Sequence, residues 1–189
     1  MTRRLIFSLF AFSLLTPAYG MGEKQNKNTL TFHLQGDQTD GPKMVFPLPM
    51  GDQKGFFRKS PLTLTKEILA YTPFFSDDGT AGATFAFSQK ASTRIAALTT
   101  ENQGKWIIAM LNGRPVDFLR IDNPVHDGRL VIWRGIKESE ILAFDYVLPH
   151  IGEDRKDWKA RLKDHSTAKK AAGKSAKERQ KERNRRNEP

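Results

Sequence analysis

The chain has 189 residues, no cysteine, and 31 Lys and Arg against 21 Asp and Glu, a formal charge of +10. That length suits one domain with appendages, and the lack of cysteine excludes disulfide staples, thiol catalysis and Cys-ligated metal. The charge is uneven: residues 153–189 carry 14 Lys and Arg against 7 acids, whereas 21–152 are close to neutral at +1.

The first twenty residues, MTRRLIFSLFAFSLLTPAYG, read as a cleaved signal peptide. Arg3 and Arg4 give a positive start, Leu5 to Leu15 an apolar run, and Ala18 and Gly20 the small residues before a cut. The run is shorter than the ~20 residues a spanning helix needs, and Pro17 interrupts its end. Met21 is the expected mature start, and the expected location is periplasmic or secreted. With no disulfides, such a protein must hold its fold by core burial. No later stretch is long and apolar enough to span a membrane, and no Cys follows the leader to carry a lipid.

Residues 29–35 alternate as a first strand, and GDQTDGP after them is a turn cluster. Met44 to Leu48 reads as a second strand, at an edge because Pro47 has no N–H to donate. Gly51 to Ser60, with Phe56 and Phe57, reads as a short strand or an apolar loop. Thr65 offers an N-cap for a short helix, Lys66 to Tyr71, with Ile68 and Leu69 inward and the Thr72–Pro73 step ending it. Ser76 to Gly82 is a turn, and Thr84 to Phe87 the next strand.

Ser88 is placed to cap a helix running to about Asn102, with Ala91, Ile95 and Leu98 on its apolar face and Gly104 as its stop. The stretch WIIAMLNGRPVDFLRI, 106–121, reads as a β-hairpin. Its first strand is apolar on both faces, so it should be central in a sheet. Asn112 and Gly113 suit a type I′ turn, and Pro115 implies a ladder that is not fully paired. A turn (123–128), a strand (129–133) and a helix from about Lys137 to Leu148 follow. Ile141, Phe144 and Leu148 share one face of that helix, with Asp145 at the margin. Together these elements predict an α+β domain over 21–152: a mixed or antiparallel sheet with two or three helices on one face.

Residues 153–189 have almost no apolar side chains beyond Trp158 and Leu162, so frayed helix or disorder is expected. Their basic side chains, including Lys169, Lys170, Lys174, Arg185 and Arg186, are candidate contacts to an anionic partner, as is Arg114 at the hairpin turn. A solubilising extension is the plain alternative. Interspersed acids and the lack of interleaved aromatics disfavour nucleic acid.

Catalytic patterns are missing. There is no nucleophile elbow, phosphate loop or HExxH. His33, His126, His150 and His165 are scattered, and Asp77 and Asp78 precede Gly79 as a turn pair. No cofactor, metal site or enzymatic activity is expected.

One set of residues has a family character: Thr99, Asn102, Gly104 and Lys105 closing the helix; Asn112 and Gly113 at the hairpin; then Pro124, Val125, Gly128, Gly135 and Glu140. In this order, from Ser60 to Leu148, the chain resembles the head of the first periplasmic domain of SecD and SecDF, protein-export subunits. The resemblance implies a ferredoxin-like α+β head that contacts polypeptide in the periplasm, and it brings no catalytic residues. The family's membrane helices and their motifs have no counterpart here, and VDFLRI lacks the family's small-residue-plus-proline step, so proton-driven translocation is not carried over. The leading expectation is an exported, non-enzymatic accessory module with a basic tether. The alternatives are an enzyme with an unrecognised site and a subunit that pairs through a sheet edge.

Overall fold

The structure is a computed structural model that describes residues 28–75, 79–164 and 167. The leader lies outside the described residues, as do Asp77, Asp78, His165, Lys169, Lys170, Lys174, Arg185 and Arg186. The class is α+β, and its strands pair antiparallel in three sheets.

Four strands form the first sheet: β1 (Leu30–Leu34), β4 (Thr63–Leu64), β7 (Trp106–Leu111) and β8 (Arg114–Arg120), in the order β4-β1-β7-β8. β7 is central, as its two apolar faces predict. One face sends Ile107, Ala109 and Leu111 into the main core. On the other, Ile108 is fully buried. The cover on that side comes from the hairpin of β2 (Val45–Met50) and β3 (Gln53–Arg58). Phe57 of β3 lies 5.9 Å from Phe118 of β8, and Phe46 of β2 lies 5.3 Å from His33 of β1. His33 is thus half-buried against an aromatic ring, and burial depresses its imidazole pKa.

The second core sheet is β5 (Ile68–Phe75), β6 (Ala81–Phe87) and β9 (Arg129–Ile136), in the order β5-β6-β9. Here the structure corrects the expected helix at 66–71. Residues Thr65–Glu67 make only a 3₁₀ turn, and the chain then extends into β5. The Thr65 hydroxyl does not cap a helix. It donates to the Leu30 carbonyl at 2.9 Å and accepts the Leu30 N–H at 2.7 Å, which pins the segment to β1. Ile68 and Tyr71 then fall on the buried face and Leu69 on the exposed one. Tertiary pairing overrides the local cap signal. Pro73 sits in an edge strand, where its missing N–H costs nothing.

Two helices cover the sheets from one side. α1 (Gln89–Glu101) begins at Ser88, whose hydroxyl accepts the Ala91 N–H, and it buries Ala91, Ile95 and Thr99. α2 (Glu138–Asp145) buries Phe144. Tyr71, Phe85 and Phe144 form an aromatic triad with ring centroids 5.3–6.0 Å apart. Burying a ring of this kind stabilises the fold by about 1.5–3 kcal/mol.

Beyond Gly152 the chain is helical again over 155–164, here α3. Arg161 ties it to the domain: its guanidinium donates to Asp145 at 2.7 Å and to both carboxylate oxygens of Glu153 at 2.9 Å. The start of the basic segment is therefore docked by charge, with Trp158 and Leu162 partly buried beside it.

Candidate functional site

Three places among the described residues bear on function, and they differ in what they leave available. The first is the β7–β8 turn. Asn112 and Gly113 have φ of 53° and 79°, as a type I′ turn requires. Asn112 Oδ1 accepts the Thr29 N–H at 2.9 Å. Arg114 is not a freely displayed cation. Its Nη2 donates to Glu140 Oε2 at 2.6 Å and to the Gly135 carbonyl at 2.8 Å. Glu140, nearly buried, also accepts the Lys137 N–H at 2.9 Å at the start of α2. The structure therefore brings Asn112, Gly113, Arg114, Gly135 and Glu140 together as one joint between hairpin, β9 and α2. Gly104 and Pro124 lie at the opposite end of the hairpin, where the Gly104 N–H meets the Ile121 carbonyl at 2.8 Å. Gly128 sits against Ser92 of α1.

The second place looks more like an active centre. Asp145 Oδ1 accepts the Tyr71 hydroxyl at 2.5 Å, faces His150 Nε2 at 2.9 Å and accepts from Arg161 at 2.7 Å. The Asp145 side chain is 13% exposed and is the group that Tyr71, His150 and Arg161 share. Burial, reinforced by the Asp145 carboxylate, pushes the Tyr71 phenol pKa far above its ordinary value. Hydrogen bonds from Arg161 hold Glu153 down at about 2. The Tyr71 proton is held in place, and the carboxylate oxygens that would act as bases are turned to a guanidinium. The cluster closes α3 and the 149–151 strap over β5, and its chemistry is that of a lock.

The third place is the seam between the two core sheets. β8 and β9 lie side by side in antiparallel sense, yet no ladder joins them. Each is irregular at the same end. β8 bulges at Val116, where the register jumps from Asp117 to Pro115, and β9 shifts opposite Gly82. Bulges bend and twist strands, so the two diverge from this point. At the closed end a side chain stands in for the ladder: Asp117 Oδ2 accepts the Trp133 N–H at 2.7 Å. Gly135 is required there, because a Cβ on it would sit 2.8 Å from the Val116 carbonyl oxygen and its φ is +86°.

At the open end the strands part around a groove of about 320 Å³. Ile107, Leu119, Val125 and Leu130 give it an apolar floor, while Arg120, Arg129 and Trp133 stand at the rim. Arg120 has a long contact to Asp122, 3.5 Å, and both are well exposed. Alternation in the antiparallel ladders fixes the backbone. Leu119 bonds to β7 and Leu130 to β6, so Arg120 and Val131 turn their N–H and C=O groups toward the seam.

Several of the other strand edges are blunted. β4 has two residues. The middle of β5 is covered by the strap, with the Tyr71 N–H on the Pro149 carbonyl at 3.1 Å and the Ile151 N–H on the Tyr71 carbonyl at 3.0 Å. β2 carries Pro47 and Pro49. Among the described residues, the seam is where two strand edges face an open cleft. No motif marked Asp117, Arg120, Arg129 or Trp133 in the sequence; Pro115, with its broken ladder, was the one available signal.

Among the described residues no group of three or more His, Asp or Glu is arranged to hold a metal ion, and no helix is long and apolar enough to cross a membrane. No protein-family model and no curated protein matches the chain. Solved structures of SecDF are similar to part of the chain. The crystal structure of SecDF in its super-membrane-facing form is 18% identical with a TM-score of 0.42, covering 61% of this chain and 17% of that one. A structure of SecDF as a membrane component that enhances protein export is 17% identical with a TM-score of 0.42, covering 61% of this chain and 58% of that one. The chain thus spans 17% of the first structure's length and 58% of the second's.

Proposed function

We propose that this chain is an exported, non-enzymatic accessory module that contacts polypeptide, in the manner its sequence resemblance to the SecD periplasmic head implies. The observation that carries the reading is the seam: two strand edges with backbone groups turned to an apolar cleft. Backbone groups so placed recognise an extended chain regardless of its sequence. The commitment of Tyr71, Asp145, Arg161 and Glu153 to one another supports the non-enzymatic part. The leader pattern supports export to the periplasm or beyond.

The test is retention of an unfolded polypeptide. The purified full chain should bind a reduced and alkylated protein and ignore the same protein in its native form. A chain that binds neither overturns the reading.

The basic segment serves as an electrostatic tether to an anionic envelope surface. Attraction between exposed charges is screened beyond ~8 Å at physiological ionic strength, so salt should release the protein from membrane fractions. Deleting residues 153–189 is a poor test, because it also removes Glu153 and Arg161 from the Asp145 lock. Replacing Lys169, Lys170, Lys174, Arg185 and Arg186 with Gln removes charge and leaves the lock intact. Envelope binding indifferent to both salt and these changes would rule out the tether.

A further inference from the structure

We infer that the β8–β9 groove takes an extended segment whose apolar side chain is flanked by a carboxylate, held by strand addition to the edges at Arg120 and Val131. This rests on the polypeptide-contacting reading and deepens it. Three observations converge on this occupant. The groove of about 320 Å³ has an apolar floor, which suits an aliphatic or aromatic side chain. Its charged lining residues are Arg120, Arg129 and Asp122, a net positive rim that favours an anionic neighbour to that side chain. The N–H and C=O groups of Arg120 and Val131 face the seam between β8 and β9, and no ladder joins those two strands. A free edge of this kind pairs with an extended backbone, while alternate side-chain pockets supply selectivity. Asp117 holds the seam shut at its other end, so the incoming strand is short and enters from the 121–128 loop side.

The experiment uses the full chain and three blocked octapeptides: alternating Val and Glu, alternating Val and Lys, and the Val/Glu peptide N-methylated on alternate amides. The Val/Glu peptide should bind, at least about tenfold more tightly than the Val/Lys peptide, since wrong-sign charge at an interface is strongly disfavoured. N-methylation should cost a similar factor, because it keeps the side chains and removes the ladder donors. Amide exchange should slow at Arg120 and Val131 on binding, and Arg129→Glu should weaken the peptide about tenfold while leaving the urea midpoint unchanged. Equal binding of the Val/Lys or the methylated peptide overturns the proposal, and so does protection that appears elsewhere. Association of the chain with a second copy through these amides overturns it in favour of a dimer interface. If the unfolded protein still binds, is not displaced by the Val/Glu peptide and tolerates Arg129→Glu, the seam assignment fails and the polypeptide-contacting reading stands. If neither ligand binds, both fail.

Discussion

Asp117 accepts the backbone N–H of Trp133 through Oδ2 at 2.7 Å and that of Phe118 through Oδ1 at 2.9 Å. One carboxylate thereby joins two strands that share no ladder. Asp117→Ala should cost about 1–2 kcal/mol, because two N–H groups lose their acceptor. Asp117→Asn keeps one acceptor oxygen and should lose less. Urea midpoints of the three proteins test this order, and equal midpoints would remove Asp117 from its role at the seam.

Gly135 lets β9 pass close to the β8 bulge. Gly135→Ala puts a methyl 2.8 Å from the Val116 carbonyl oxygen, in a left-handed backbone conformation. The conformation alone costs about 1–2 kcal/mol, and the contact adds to it. A loss of at least about 2 kcal/mol is expected, read from thermal or urea unfolding. A neutral substitution would mean that the strands separate here at little cost.

The Asp145 cluster should behave as a unit. Tyr71→Phe removes one hydroxyl and should cost about 1 kcal/mol. Asp145→Ala takes the shared carboxylate from the Tyr71 hydroxyl and the Arg161 guanidinium, which keep the Ile141 carbonyl at 3.2 Å and Glu153, and should cost about 2 kcal/mol. The double variant should cost less than the sum, since both changes break the same bond. Strict additivity in that cycle would show that the two groups are not coupled.

Glu153 sets an acid limb of stability. Its folded pKa is about 2, against an ordinary value of 4.5, because Arg161 bonds to the charged form. The unfolded chain therefore takes up this proton first as the pH drops. The stabilisation is fully present above about pH 5 and is lost as the pH falls from about 4.5 toward 2. Urea midpoints of the wild type and Glu153→Gln should differ by a constant amount above pH 5, and the gap should close at pH 2. A gap that does not change with pH would place the effect of the substitution elsewhere.

Much of the frame was legible from the residues. The strand over 106–111 has apolar residues on both faces, and it proved central and covered on both sides. The cap at Ser88, the turn at Asn112 and Gly113 and the edge proline at Pro47 each act through local backbone chemistry. The α+β class follows from those elements. What failed was the segment 66–71. Thr65 carries a valid cap signal, yet its hydroxyl is claimed by Leu30, 35 residues earlier.

By itself the sequence determined which short stretches fold and how they turn, because hydrophobic period, proline and Asn-Gly act within a few residues. It also determined the charge partition, the absence of thiol chemistry and the signal-like leader. Tertiary structure alone decided that Arg114 is bound to Glu140, that Tyr71 and Arg161 meet on Asp145, and that β8 and β9 run side by side without a ladder. Each depends on groups that are far apart in sequence or on two bulges that happen to face one another, and no local period encodes such a meeting. The candidate groove is a product of that meeting. Its arginines, apolar floor and free strand edges become one surface only when the two sheets are set edge to edge.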